Sequence, residues 1–507
     1  MKFDIDVKDI PDLEAHPLLR QAGSSDRKHQ RSVYFDTDHD DLWQAGAVVR
    51  VRHQDGRKVQ TVKSAGVAVA ATERDEEERD IDGDFPDLSG TRAAGLARLL
   101  KKRKIRDRLA ARFEVDVDRE TWTLREDSAE LEVALDRGRV AAGVAASDLC
   151  EVEVELKRGD VASLYETARR LGADVPLHLN LVSKGERGYR LLHNDWDRPQ
   201  KAWPVPLKRG MTSADALRMV AAECMKQFLL NERLLLRKNT GVEVVHQARV
   251  AIRRLRAALT FFKELVSDEQ SASIKRELKW ISDLLGEARD LDVLKSDIVD
   301  AADGSTPGRK ALAAEVERRR RAAYQRLTQA LGSPRYRRLL FDFAEWMDEG
   351  AWRKQSGDSA THEPIEDFAA DELKRHTRKL LKRAFHLEEF DDRARHRVRI
   401  DAKKLRYITE FFAAVFPSRQ GRHEKFRDLL EDMQTALGEI NDRVWAHDFL
   451  GRLAHEIPRR DKVDGQSVML FAAGEIGRDL ERTDKDKLVR RASKAANKLA
   501  KLAPFWG

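Results

Sequence analysis

His246-Gln-Ala-Arg249-Val-Ala-Ile252-Arg253-Arg254-Leu255-Arg256 returns, 150 positions later, as His396-Arg-Val-Arg399-Ile-Asp-Ala-Lys403-Lys404-Leu405-Arg406. On a helix turning about 100° per residue, positions 246, 249, 253 and 256 fall within roughly 80° of one another, so a histidine and three arginines form one basic stripe. Val245, Ile252, Leu255, Leu259 and Phe262 form a separate apolar face suited to burial. The repeat continues: Leu285-Gly286-Glu287-Ala288-Arg289-Asp290 comes back as Leu437-Gly438-Glu439-Ile440-Asn441-Asp442, offset by 152. So long a period means two copies of a multi-helix unit rather than a solenoid of short repeats. The expected arrangement is an all-α bundle with an internal pseudo-two-fold, its basic helices meeting near the axis and presenting paired cationic ridges to one polyanion. Arginine forks bridge phosphate oxygens while Lys403 and Lys404 act as point charges, so neutralising the first ridge should harm binding more. Asp290 and Asp442 are expected to fix neighbouring arginines or a helix terminus. His246 and His396 either hydrogen-bond phosphate or are buried and satisfied.

Composition agrees with an anionic partner for this half. The 507 residues are 36% charged with a net charge of +7. Residues 1–200 hold 34 Lys+Arg against 40 Asp+Glu, whereas the remainder holds 61 against 48. Cys150 and Cys224 give neither metal spacing nor a disulfide framework, which fits a reducing cytoplasm. No apolar stretch is long enough for a bilayer, and the first residues lack a signal-peptide run, so no membrane partner is expected.

Up to about residue 190 the hydrophobic pattern has period two, and beyond 211 it is helical. Pro199, Pro204 and Pro206 interrupt both, which places a linker at 196–210 between domains at 1–195 and 211–507. Helical period runs over 213–238, 242–265, 272–300, 308–332, 335–348, 364–386, 392–415, 423–454 and 465–502, with turn-rich breaks at 302–308, 353–364 and 457–465.

In the N-terminal half, Asp4, Asp6 and Lys8 alternate with Phe3, Ile5 and Val7; Arg50 and Arg52 with Val49 and Val51; Glu151, Glu153, Glu155 and Lys157 with Val152, Val154 and Leu156. Successive strand side chains point to opposite faces, so each strand has one charged and one apolar face. Acids on some strands and bases on others predict an antiparallel β barrel with a polar lumen and flanking helices. Bases in such a lumen would cradle a linear triphosphate, and carboxylates would hold an intervening cation.

Tyr34-Phe35-Asp36-Thr37, Leu42 to Arg52, Gln60-Thr61-Val62-Lys63, Arg74-x-Glu76-x-Glu78, Leu131 to Gly138, Glu151 to Lys157 and Ser183-Lys184-x-Glu186-Arg187-Gly188-Tyr189 together resemble the CYTH family of triphosphate tunnel enzymes. The resemblance implies metal-dependent hydrolysis of inorganic triphosphate. It assigns Lys8, Arg50, Arg52, Lys63, Arg106 and Lys184 to phosphate, and Asp4, Asp6, Glu76, Glu78, Glu132, Glu153 and Glu155 to Mg²⁺ or Mn²⁺ or to the attacking water. Asp4-x-Asp6-x-Lys8 stands where the family has Glu-x-Glu-x-Lys, which sets each carboxylate back by about 1.5 Å. A tunnel that only binds is therefore the alternative, as are adenylate cyclase and thiamine-triphosphatase activities within the same family.

The repeated basic helices, with Ala288 to Leu294 and Lys404-Leu405-Arg406-Tyr407-x-x-Glu410, resemble the CHAD family over roughly residues 211–505. That resemblance implies polyphosphate binding by His246, Arg249, Arg253, Arg254, Arg256, His396, Arg399, Lys403, Lys404 and Arg406. A non-catalytic polyphosphate-binding or granule-associated protein is the second reading of the whole chain. Nothing reads as a recognition helix, zinc finger or stacking platform, so no sequence-specific nucleic acid is expected.

Overall fold

Asp55-Gly56 is a two-residue turn with both residues at positive φ (50° and 76°), the geometry that a tight hairpin requires. It joins Ala47–Gln54 (β3) to Arg57–Ser64 (β4) in the register Gln54↔Arg57, Arg50↔Thr61 and Val48↔Lys63. Around this hairpin the computed structural model describes residues 1–64, 76–89, 91, 99–100, 102–126, 129–237, 241–299, 306–354, 363–456, 464–481 and 485–507. Arg74, Lys101 and most of the three turn-rich breaks lie outside the described residues. The chain forms two compact units, one of Met1–Pro199 with Leu331–Ala351 and one of Gln200–Ala330 with Trp352–Gly507.

The first unit is built on a nine-stranded sheet in which Lys2–Asp4 is β1, Asp26–Asp36 β2, Glu76–Asp80 β5, Ala110–Glu126 β6, Ala129–Ala142 β7, Ala145–Arg158 β8 and His178–Leu179 β9. The order is β5-β4-β3-β2-β6-β7-β8-β1-β9, every pairing antiparallel, and β5 and β9 are its edges among the described residues. The sheet curls. Laid flat, β4 and β8 would stand about 24 Å apart, yet Glu153 on β8 acts electrostatically on Lys63 of β4. Val49, Val51, Val62, Leu131, Val133, Leu135, Val152 and Val154 are buried on the apolar positions of the alternation. At Gly138 a β-carbon would fall 2.0 Å from the Asp116 carbonyl oxygen, so the β6–β7 contact there admits no side chain.

Val161–Asp174 (α1) packs on β8, and its Asp160 cap accepts the Ala162 amide at 3.0 Å. Lys184–Leu192 (α2) starts at Ser183, whose hydroxyl accepts the Glu186 amide at 3.1 Å, the first half of a Ser-x-x-Glu capping box. Gly185 faces Tyr34 and Val48, which share register with Arg50 and Lys63, so α2 lies on the charged face of the sheet.

In the second unit Ser213–Leu236 (α3), Val242–Phe261 (α4) and Glu269–Val293 (α5) form one packed series. Pro307–Leu331 (α6) leads to Pro334–Glu349 (α7), which belongs to the first unit. Ile365–Ala384 (α8), Asp392–Phe411 (α9) and Gln420–Glu456 (α10) form the second series, followed by Asp464–Glu481 (α11) and Lys485–Ala500 (α12), both packed on α10. The sequence predicts one helix over 465–502; α11 and α12 take its place, with 482–484 outside the described residues. The basic helices α4 and α9 touch each other, as the pseudo-two-fold requires. Beneath them Phe261 and Phe412 pack at 5.2 Å between ring centroids. Phe261-Phe262 and Phe411-Phe412 repeat the 150-residue offset in the core.

Candidate functional site

Strand register assembles the first cluster. Tyr34, Arg50, Thr61 and Glu78 stand side by side across β2 to β5, and Lys63 stands opposite Glu76. Lys63 Nζ lies 2.7 Å from Glu76, Arg52 donates to Glu78 at 2.9 Å, and Arg50 lies 4.0 and 3.9 Å from Glu76 and Glu78. The Arg50 and Arg52 side chains are only 16% and 17% exposed. Across the lumen Arg119 donates to both oxygens of Asp136 at 2.7 and 2.6 Å and to Glu153 at 2.6 Å. Lys184, held at the first turn of α2, bridges Asp136 at 2.7 Å, Glu153 at 2.8 Å and Glu151.

Burial sets the electrostatics of this cluster. It lowers Lys63, with the Arg50 guanidinium adding to the effect, and lowers Lys2 and Arg52. For Lys184, burial is outweighed by three carboxylates that hold the ammonium charged. Burial raises Glu151, while in Asp136 and Glu153 the same cost is overcome by Lys184 and Arg119, which keep both ionised. Oxygens of Asp136, Glu151 and Glu153 lie within 4.8 Å of one another, a donor set that suits a hard divalent cation.

Of the residues singled out in the sequence, Arg50, Arg52, Lys63, Glu76, Glu78, Glu153 and Lys184 meet in this cluster. Glu132 and Glu155 share its face one register step away, both paired with Lys157, at 3.4 and 3.0 Å. Asp4 stands opposite Glu151 and accepts from Asn180 at 2.9 Å. The first strand is shorter than its alternation predicts. It ends at Asp4, and Val7–Asp9 is a 3₁₀ turn leading into a short helix with Pro11 in its first turn. Asp6 and Lys8 therefore pair with each other at 3.4 Å, 69% and 75% exposed. Arg106 sits on the short helix Arg103–Arg106 and donates to the Leu100 carbonyl. Asp136 and Glu151 lie in stretches that carry the resemblance but are assigned no role from sequence, and Lys2 and Arg119 are not singled out there. Lys2 shares parity with Asp4, whereas Arg119 has the opposite parity to Asp116 and Asp118 and stands out only once register is known.

The second cluster lines a cavity of about 630 Å³ in the helical unit, where His246, Arg249 and Arg253 of α4 meet His396, Arg399 and Lys403 of α9. The second repeat positions the first. Asp290 accepts from Arg249 at 2.9 Å and Asp442 lies 3.5 Å from Arg399. The guanidinium groups lie over Gly286 and Gly438, where a β-carbon would come within 3.5 and 3.7 Å of them. The copies differ at Arg253 and Lys403 and again at Arg289 and Asn441: burial, with Arg289 adding to it, lowers His246 to about 4, and Asn441 hydrogen-bonds His396. Burial beside Arg253 and Arg399 lowers Lys403 to about 6. Among the described residues, Nε of Arg253 and of Arg399 is buried without an acceptor. Arg254, Arg256, Lys404 and Arg406 lie off this cavity. Arg254 is buried on Gln227 at 2.8 Å and over the Phe411 ring; Arg256 and Arg406 tie their helices to Ser282 and Gln434, a pair 152 apart, at 3.1 and 3.0 Å. Lys404, lowered by burial, has Asp401 as its nearest favourable charge.

A curled antiparallel sheet with an ion-paired inner face, followed by a two-fold helical unit with paired basic helices, defines a two-domain class of protein. The chain belongs to the CYTH–CHAD architecture: the CYTH domain model matches residues 1–189 and the CHAD domain model residues 219–451. An uncharacterized protein of Mycobacterium tuberculosis, Rv2226, is 30% identical over 245 residues, 47% of this chain and 45% of that one. The chain thus spans about half the length of this curated relative. An inorganic triphosphatase of Haemophilus influenzae is 28% identical over 79 residues, 16% of this chain and 22% of that one. Among solved structures, the CHAD domain from the plant Ricinus communis aligns with a TM-score of 0.52 and 27% identity, covering 59% of this chain and 96% of that chain. No helix among the described residues is long and apolar enough to cross a membrane.

Proposed function

We propose that the curled sheet hydrolyses inorganic triphosphate with Mg²⁺ or Mn²⁺ and that the helical unit binds longer polyphosphate. The observation that carries the catalytic reading is that the lumen's bases, Arg50, Arg52, Lys63, Arg119 and Lys184, are each paired with a carboxylate on the same inner face. A triphosphate with its cation exchanges these partners. Arg50, Arg52, Lys63 and Lys184 would turn to phosphate oxygens, and Glu76, Glu78 and Glu153, with Asp136 and Glu151, would be left to hold the cation. The cation, when bound, neutralises charge on the terminal phosphoryl group. Arg50 and Arg52 orient the phosphates, and Glu151, which burial raises and the Lys184 ammonium opposes, stays ionised only while a cation stands beside it, whether Lys184 or the metal that would replace it. The relative named an inorganic triphosphatase supports this reading.

For the helical unit, the supporting observation is a cavity whose cations exceed their internal partners, with Lys403 lowered and two guanidinium nitrogens unpaired. A polyanion supplies those charges. Exposure of Asp6 and Lys8 favours the second reading, a tunnel that binds without turnover. Phosphate release from tripolyphosphate with Mg²⁺ or Mn²⁺ separates the two: the full chain turns over and Lys63→Ala does not, whereas an inactive wild type that still binds tripolyphosphate leaves the binding protein.

A further inference from the structure

A second cavity, also about 630 Å³, adjoins the first and shares two of its walls, Asp290 and Trp445. Arg318, Arg319 and Arg326 of α6 line it, on the stretch that opens with the run Glu317-Arg318-Arg319-Arg320-Arg321, and Arg452 of α10 lines the opposite side. Positions 318, 322 and 326 repeat every four residues, as do 445 and 449, so each helix turns one continuous face to the cavity. Four arginines there meet two lining carboxylates, Glu287 and Asp290. Asp290 is already engaged by Arg249 at 2.9 Å, and Glu315, outside the lining, is shared by Arg318 and Arg319 at 2.7 Å, so the four arginines still outnumber the carboxylates that face them.

We propose that the two cavities form one track for a linear inorganic polyphosphate too long for the first alone, which passes Trp445 into the arginine-lined second chamber. The inference rests on the polyphosphate reading of the first cavity and adds to it a basis for chain-length preference. A nucleic acid strand would need an aromatic face for each base. Phe449 offers none, since Trp445 stacks on it at 5.2 Å and 23° and the Arg319 guanidinium lies over its ring at 5.5 Å. A phosphate chain needs only the row of cations. Arg318 and Arg326, 67% and 48% exposed, hold Glu315 and Glu287 at 2.7 and 2.6 Å, and water and salt reach both guanidinium groups, so either can turn to a phosphate.

The test uses the full chain and the double variant Arg318→Gln/Arg452→Gln, titrated calorimetrically with tripolyphosphate and with long-chain polyphosphate over a range of salt. Both substitutions fall in the helical unit, so any binding by the tunnel is the same in the two proteins. The variant should bind tripolyphosphate as the wild type does and long chains several-fold more weakly, with a log K against log salt slope shallower by about 1.4 for two lost cations. Arg249→Gln, in the first cavity, should weaken long chains as well. An unchanged long-chain slope in the double variant, or equal weakening of short and long chains, overturns the track. So does single-stranded DNA that displaces long-chain polyphosphate from the wild type at equal phosphate. A wild type that binds no long chain overturns the proposed function of the helical unit and the track with it, whereas binding that ignores the double variant overturns the track alone.

Discussion

Lys403 is the residue on which the pH response of the helical unit turns. Burial lowers it to about 6, and Arg253, Arg399 and Arg249 push the same way, with Asp442 opposing them. Its unfolded value is about 10.4, so between roughly pH 6 and 10 the unfolded chain holds a proton that the folded chain does not. Stability from this group therefore rises with pH across that window. Polyanion binding runs the other way, because a phosphate favours the ammonium. Polyphosphate affinity at fixed ionic strength should fall from pH 6 to 8 by up to about one log unit per pH unit, with proton uptake visible in buffers of different ionisation enthalpy. Lys403→Arg should flatten the profile; a flat profile in the wild type contradicts the argument. The stripe itself was legible in the sequence, since residues 246, 249 and 253 follow from helical spacing. The divergence of Arg256 and Arg406 was not: each lies one turn further on, where Ser282 and Gln434 are within reach.

At the scale of elements, α7 carries most that sequence could not show. Its period reads as a helix, and nothing in a period names a partner. It packs with the N-terminal unit: Asp348 accepts from Tyr165 at 2.7 Å, Asp342 and Glu345 hold Arg169 at 2.7 and 2.6 Å, and Phe341 meets Phe3 edge-on at 5.6 Å. Phe3 lies in β1 between Lys2 and Asp4, so this helix supports the strand that brings both to the inner face. Residues 1–200 alone would leave Phe3 and Tyr165 uncovered. That fragment should lack a cooperative thermal transition, and fusing residues 331–351 to it should restore one. Gly172 offers a finer probe, because a β-carbon there would fall 2.6 Å from the Phe341 ring. Gly172→Ala should cost about 1–3 kcal/mol in denaturant unfolding of the full chain, the usual cost of overpacking. Alternation was a sound guide wherever strands are long, and it failed at β1, where Pro11 draws the chain into helix after a few residues.

For the whole molecule, the decisive property is that two charged clusters of different composition sit in separate units of one chain. The inner face of the sheet balances each base with an acid and so can exchange them for substrate and cation together. The helical cavity has more cations than partners and so favours a polyanion without a metal. Chelation should then separate them: EDTA should abolish tripolyphosphate hydrolysis while long-chain polyphosphate binding survives. Substitutions should separate them in the same way. Lys63→Ala is expected to remove turnover by at least about 100-fold, the scale of losing one charge aimed at the transition state, and to leave long-chain affinity as it was. Arg253→Gln with Lys403→Gln should do the reverse, lowering long-chain affinity with kcat/KM for tripolyphosphate unchanged. The combined variant should show the two losses side by side with no excess, as independent sites do. A loss of tripolyphosphate turnover in the Arg253→Gln/Lys403→Gln protein, with its thermal transition intact, would mean that the cavity and the tunnel act on substrate as one site.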